Sequence, residues 1–173
     1  MEFFALSLVA EVGAAFAGFA TIAGVIGRDD MQADSIFDIV LHCLIAVVFA
    51  LVAIAVIGTG GFGHQSLRGI ALVLLAVSVL GIAREVHVYR ASWRDMPEEE
   101  KTGGLGRALG VGALLSMLPS PVLAAVVAAG FFSARAAFLY ELALLSHLLV
   151  ALFLLLYLVW VNFALRARPP AAG

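Results

Sequence analysis

The chain has 173 residues, of which 64% are hydrophobic and 13% charged, and its formal net charge is −2 at pH 7. Soluble domains are typically about 45–50% apolar and about 25% charged, so this composition, with a mean hydropathy of +1.10, excludes a soluble globular fold. So small a net charge gives no indication of a nucleic-acid partner.

Five apolar runs are long enough to cross a bilayer, which takes about 20 residues of helix. In chain order they are Phe3–Ile26, Ile36–Ile57, Gly69–Val88, Ala108–Phe131 and Phe138–Leu165. Lipid offers the backbone no hydrogen-bond partners, so each run must be a helix that bonds internally. The sequence predicts an all-α, polytopic bundle of five spanning helices. We expect a single transmembrane domain over residues 1–168 and a disordered tail over 169–173.

The fourth run contains two prolines, Pro119 and Pro121. Proline lacks a backbone N–H and kinks a helix. We expect a kinked span, because the run has the full apolar length for a crossing. Four spans plus a re-entrant segment are the alternative.

Basic residues flank the spans unequally, and such residues favour the cytoplasmic side. Five crossings place only Arg68 and Arg135 on one side of the membrane. The opposite side receives seven basic residues, namely Arg28, Arg90, Arg94, Lys101, Arg107, Arg166 and Arg168. The sequence therefore predicts a multi-pass protein of a bacterial inner membrane, with the N-terminus outside and the C-terminus in the cytoplasm.

Polar groups inside a bilayer are costly, so each is a candidate for function. At ~1.5 Å per residue, Glu11 lies roughly 12 Å and His147 roughly 13 Å from the outer ends of their helices. The two could pair, with Glu141 above them. Ser7 and Gly18 share the helix face of Glu11. Glu11 is therefore either a pore-lining acid or a buried group, paired or neutral.

A second group of polar residues lies towards the predicted inner side, and its members are Asp38, His42, Arg84, Glu85 and His87. We favour a structural role for these residues, in which Arg84 pairs with Asp38 or Glu85. These donors would also suit a metal ion, and His42 with His87 would suit a haem. Their spacing matches no metal motif, so we expect no metal and no cofactor. No catalytic motif is present either, and we expect no enzyme.

The stretch from Glu11 to Arg28, rich in glycine and alanine, resembles the first helix of small polytopic bacterial membrane proteins of unassigned function. The resemblance covers about one helix and carries no catalytic residues. It implies the class of protein alone.

These features favour a homo-oligomeric ion channel or pore, whose subunits assemble around the first helix with Glu11 facing the path. The alternative is an accessory or structural subunit of a larger membrane complex, without catalysis. The partners we expect are the lipid bilayer, further copies of the chain and possible other membrane subunits.

Overall fold

The computed structural model describes residues 3–26, 30–58, 64–95 and 104–166, and these ranges are helical apart from Leu118 and a turn at 130–132. The α-helices are α1 (Phe3–Ile26), α2 (Asp30–Gly58), α3 (His64–Asp95), α4 (Gly104–Met117), α5 (Pro119–Ala129) and α6 (Ala136–Arg166). A short 3-10 helix, Ser133–Arg135, leads into α6. The tail predicted over 169–173 lies outside the described residues.

The prediction of an all-α bundle with five spanning helices is confirmed. The apolar spans are Phe4–Ile22, Ile36–Val56, Gln65–Val88, Val111–Ala129 and Ala136–Trp160. Each has 19 to 25 residues, which is enough for a helix to cross about 30 Å of hydrocarbon. The chain is thus an integral membrane protein with five candidate crossings.

The fourth span consists of two helices, α4 and α5, joined at Leu118. Pro119 and Pro121 cannot donate to the carbonyls four residues earlier, which are those of Leu115 and Met117. The Leu118 N–H donates to Leu115 O instead, at 3.3 Å, and Leu118 keeps helical dihedral angles. The chain therefore bends without reversing, as expected of a kinked span.

Helix α6 lies at the centre of the bundle and packs against α2, α4 and α5. The Tyr140 hydroxyl donates to Phe49 O on α2 at 3.0 Å, and His147 lies beside His42, so α2 and α6 are antiparallel neighbours. On its other side, Phe153 of α6 lies against Gly112 of α4, where an added Cβ would come within 2.9 Å of the phenyl ring. Two helices can approach this closely because Gly112 has no side chain.

Helix α3 packs on α5, and the side chain of Arg68 fixes one end of this contact. Its Nε donates to Ala128 O at 2.8 Å and its Nη2 to Ala129 O at 3.4 Å, so it caps the last carbonyls of α5. Gly130 ends α5 with φ of +81°, in the left-handed region that glycine adopts without strain. We call this end of the bundle the Arg68 end, and the opposite one, where α2 begins and α3 finishes, the Asp38 end.

The core differs between the two halves of the bundle. Towards the Arg68 end it is built from apolar side chains, including Leu67, Leu74, Val127 and Leu144. The buried polar side chains of the described residues lie at the level of His147 or nearer the Asp38 end, and they are Asp38, His42, Ser78, Ser116, Ser120, Ser146 and His147. The half towards the Asp38 end therefore combines these polar side chains with a second apolar cluster, which includes Ile39, Cys43 and Leu158.

Helix α1 packs on α2 through small residues. A Cβ added at Gly13 would lie 2.8 Å from Val47 Cγ2 and 3.3 Å from Cys43 O, whereas one added at Gly18 would meet nothing within 4 Å. We expect Gly13→Ala to lower the free energy of unfolding by about 1 kcal/mol, because Val47 must move. Gly18→Ala is the matched control, and it should be neutral or stabilising. Thermal unfolding in detergent measures both, and equal effects would contradict the close packing.

Candidate functional site: a buried polar network

Two histidines meet in the interior of the bundle. Nδ1 of His42, on α2, lies 3.0 Å from Nδ1 of His147, on α6, and the ring centroids are 5.4 Å apart. Both residues are buried, with 4% of their surface exposed. His147 is close to the middle of the span Ala136–Trp160, so the pair lies deep within the apolar part of the bundle.

Two serines complete the hydrogen bonds of His147. Its Nε2 lies 2.9 Å from Ser120 Oγ, on α5, and 3.2 Å from Ser78 Oγ, on α3. The two hydroxyl oxygens are 2.9 Å from each other. Four helices, α2, α3, α5 and α6, thus contribute one side chain each to a continuous hydrogen-bond network, which we call the His–Ser network.

The His–Ser network has two complete hydrogen-bonding patterns. In one, His42 Nδ1–H donates to His147 Nδ1, and His147 Nε2–H donates to a serine oxygen. In the other, a serine O–H donates to His147 Nε2, and His147 Nδ1–H donates to His42. Because a neutral imidazole carries one N–H and one acceptor nitrogen, the two patterns differ only in the positions of protons. With one proton between the two Nδ1 atoms, both rings cannot be imidazolium ions in this arrangement.

An ion cluster lies nearer the Asp38 end. Nη1 of Arg84, on α3, donates both to Asp38 Oδ1, on α2, and to Glu85 Oε1, the latter at 2.8 Å. The Arg84 guanidinium also stacks over the ring of Phe37, 5.4 Å from its centroid. Both pairings predicted for Arg84 are therefore formed. Asp38 and His42 are one turn apart on α2 and share a face, so the cluster adjoins the His–Ser network.

The predicted pairing of Glu11 with His147 is wrong. Both ring nitrogens of His147 are engaged by His42 and the serines, whereas Glu11 lies exposed on α1. The similar depth of the two residues was predicted correctly, since a Cβ added at Gly13, two residues after Glu11, would lie 3.4 Å from Leu148 Cδ2. The pairing fails because Glu11 faces outwards from α1, whereas the packing of α2 on α6 brings His42 to His147.

The other predicted residues are dispersed. Gly18 is exposed on the same face of α1 as Glu11, and Ser7 is half-buried. Glu141 is half-buried on α6, towards the Arg68 end. His87 is exposed on α3, so it does not join the buried His42 as a pair of ligands on one haem. The described residues include no group of three or more His, Cys, Asp or Glu side chains that could hold a metal ion.

The sequence interpretation missed Ser78 and Ser120. Serine is common in transmembrane helices, and its hydroxyl often bonds to a carbonyl of its own helix. Ser116 and Ser146 do so, donating to Ala113 O and Ala143 O at 2.8 and 2.7 Å. Nothing in the sequence separates these two serines from the two that bond across helices.

This difference between serines is testable on the fourth span. We expect Ser120→Ala to lower the free energy of unfolding by about 1 kcal/mol, because it removes hydrogen bonds between helices. Ser116→Ala removes only a bond within α4 and should cost much less. Urea or dodecyl sulfate unfolding of the purified protein measures both. An equal loss in the two variants would contradict an interhelical role for Ser120.

The fold defines a small, multi-pass integral membrane protein with a polar network in its core. Comparison with protein-family models, curated proteins and solved structures finds no match to the chain.

Proposed function

We propose that this protein is a membrane channel for protons, in which the His–Ser network is the element that carries them. The observation that supports this most is the continuous set of hydrogen bonds from His42 through His147 to Ser120. Imidazole is the side chain that most readily accepts and releases a proton near neutral pH. Three of the four groups also lie close to the middle of their spans.

The two hydrogen-bonding patterns supply the physical mechanism. A proton that arrives at His42 Nε2 makes the ring an imidazolium ion, which passes its Nδ1 proton to His147. His147 then releases its Nε2 proton to a serine hydroxyl, which at the same time gives its own proton to a water molecule that a conformational change admits on the far side, and the network is left in its second pattern. Rotation of the side chains restores the first pattern before another proton is carried.

In this conformation, the apolar side chains towards the Arg68 end interrupt the path of protons through one protomer. Beyond His147, the core towards the Arg68 end is filled by side chains such as Leu74 and Leu144. Protons reach the network from the Asp38 end, and passage to the other side requires a conformational change or a path along a second subunit. The excess of basic residues supports a cytoplasmic Asp38 end.

Self-association is the part of the proposal that involves Glu11. This side chain is exposed within the span Phe4–Ile22, on a face that also includes Ala14, Ala15 and Gly18. A carboxyl group that faces hydrocarbon is costly, so covering this face is favourable. In a homo-oligomer assembled around α1, Glu11 would line the axis and attract cations.

Proton flux into liposomes tests the proposal. The full chain is reconstituted with a pH-sensitive dye inside, and a potassium diffusion potential drives proton entry. We expect flux from the wild-type protein and its loss in His42→Gln and His147→Gln. Ser146→Ala is the matched control, because Ser146 is a buried neighbour of His147 that bonds only to its own helix. Equal flux in wild-type, His42→Gln and protein-free liposomes would overturn the proposal.

An accessory subunit of a larger complex is the second candidate, and the exposed Glu11 face also supports it. A foreign helix that carries a basic or amide side chain would cover this face equally well. In that case Glu11→Gln should release the protein from its complex in native gels of solubilised membranes. A homo-oligomer would instead retain its size with no foreign subunit, as mass photometry of the purified protein would show.

A further inference from the structure

We propose a second activity for the buried network, in which Ser120 is the nucleophile, His147 the base and His42 the positioning residue of an esterase for neutral lipid esters. This activity goes beyond the proposed function, because carriage of a proton transforms no substrate. The expectation of no enzyme rested on the absence of a sequence motif. The three residues come from α5, α6 and α2, and spacing along the chain does not reveal such a set.

Ser120 and His147 form the contact that activates a serine. Oγ of Ser120 lies 2.9 Å from Nε2 of His147, within the hydrogen-bond reach of a nucleophile and its base. In the second hydrogen-bonding pattern, Nε2 carries no proton and accepts that of the serine. A serine hydroxyl is a weak nucleophile unless a base removes its proton during the attack. Ser120 and His147 are therefore the catalytic residues of the proposed reaction.

His42 supplies the third part of the site. Its Nδ1 lies 3.0 Å from Nδ1 of His147, so it engages the ring nitrogen that the serines leave free. In the second pattern it accepts the Nδ1–H of His147, which keeps Nε2 available as the base. In serine hydrolases a carboxylate usually makes this contact, and it fixes the tautomer and orientation of the base. His42 acts through His147 and is a positioning residue.

Two observations favour Ser120 over Ser78 as the nucleophile. Oγ of Ser78 is farther from His147 Nε2, at 3.2 Å. Ser120 also lies beside the bend, where the neighbouring side chains of Leu118 and Val122 are 51% and 61% exposed at the surface of the bundle. The Ser78 hydroxyl is 2.9 Å from Ser120 Oγ, so it can donate to the oxyanion that forms next to the nucleophile.

The position of the bend indicates a substrate from the lipid phase. Ser120 is 1% exposed, so the site is closed in this conformation and a substrate enters only when α5 moves. Pro119 and Pro121 cannot donate hydrogen bonds, so the backbone moves there at a lower cost than in an unbroken helix. Because Ser120 is at the middle of the span Val111–Ala129, the site opens near the middle of the bilayer.

An ester without a charged headgroup suits this depth. Charge is costly in hydrocarbon, so the headgroup of a phospholipid holds its ester carbonyls near the membrane surface. An ester of a fatty acid with an apolar alcohol has no such restraint. The peptide bonds of a transmembrane helix suit the site less well, because their carbonyls are already hydrogen-bonded within the helix.

The reaction has two steps. Ser120 Oγ bonds to the ester carbonyl carbon while His147 Nε2 takes the serine proton, and this proton passes to the alcohol oxygen as its bond to that carbon breaks. Water then attacks the acyl-serine and gives a proton to His147, which returns it to Ser120 Oγ as the fatty acid leaves. Water is the one co-reactant, and nothing is oxidised or reduced.

Labelling of the purified full-length protein with an alkyl fluorophosphonate, which reacts with activated serines, tests the nucleophile. We expect peptide mass spectrometry to find the label on Ser120, and Ser120→Ala and His147→Gln to remove it. Ser116→Ala is the matched control, because Ser116 is a buried serine of the same span that bonds only within α4. Ser78→Ala disturbs the same network yet should keep the label on Ser120, which separates loss of the nucleophile from loss of packing.

Hydrolysis of a fluorogenic ester of a fatty acid tests the substrate class. Ser120→Ala and His147→Gln should each lower kcat by about a hundredfold or more, as loss of a general base typically does. His42→Leu should lower kcat by about tenfold with KM unchanged, and His42→Gln, which keeps an acceptor, should restore it in part. His42→Gln also separates the two functions, because we expect it to abolish proton flux and to retain hydrolysis.

The label decides whether the site is an esterase. A wild-type protein without label, or a label that survives in Ser120→Ala, would overturn the esterase, and proton flux in the same preparation would still support the proposed function. A label on Ser120 without turnover of the ester, or with turnover of a peptide amide instead, would overturn the substrate class. Turnover that His42→Leu leaves unchanged would reject the role of His42.

Discussion

Replacement of His147 by alanine should lower the free energy of unfolding by about 3 kcal/mol, the largest effect that we expect from a single hydrogen-bonding residue. The change removes the bonds to His42 and to the serines, each worth about 0.6–1.7 kcal/mol within a membrane. It also leaves His42 Nδ1 buried without a partner and opens a cavity of imidazole size. Denaturant unfolding in detergent micelles measures the loss.

The neighbouring residue provides the control for this experiment. Ser146 is as buried as His147 but donates only to Ala143 O, in its own helix. Ser146→Ala should therefore change the free energy of unfolding by less than about 1 kcal/mol. A loss in His147→Ala no greater than this would mean that the His–Ser network contributes nothing to stability.

Replacement of Arg84 by glutamine should destabilise the protein by about 2 kcal/mol at neutral pH. Removal of one partner from a fully buried ion pair costs about 3–5 kcal/mol. We expect less here, because the guanidinium is 39% exposed and water screens part of its charge. Arg90→Gln is the matched control on α3, since Arg90 is exposed and should tolerate the change. Thermal unfolding compares the two variants.

A double variant separates loss of the ion pair from loss of packing. Asp38→Asn in the Arg84→Gln background removes the carboxylate left without its cation, so part of the lost stability should return. If the double variant is instead less stable by the sum of the two single losses, Arg84 and Asp38 do not act as a pair.

The spans were predictable from the sequence because apolar length alone determines which segments cross a bilayer. The bend at Leu118 was also predictable, since Pro119 and Pro121 remove two donors from one run. The hydrogen bonding at the bend was not predictable, because the bond from Leu118 N to Leu115 O depends on how the chain relaxes around the prolines. The central position of α6 is a tertiary property that hydropathy does not encode.

The candidate site was predictable in part. Asp38, Arg84 and Glu85 were expected to pair, because opposite charges near one end of their helices have few other partners. The contact between His42 and His147 was not expected, since it depends on the register of two antiparallel helices that are distant in the chain. A residue count from each helix end gives the depth of a side chain but not the neighbour that it faces, which depends on how each helix is rotated within the bundle.

The bend at the prolines allows α5 to tilt relative to α4. Arg68 holds the far end of α5 against α3 by a hydrogen bond, and the near end meets α4 at the bend, Leu118. Ser120 lies only two residues from that bend, so a change in the tilt of α5 turns its hydroxyl relative to His147 while translating it very little. The hydrogen bond between Ser120 and His147 would lengthen or shorten with such a turn, so a movement of the backbone at the bend would connect or disconnect the end of the proposed proton path.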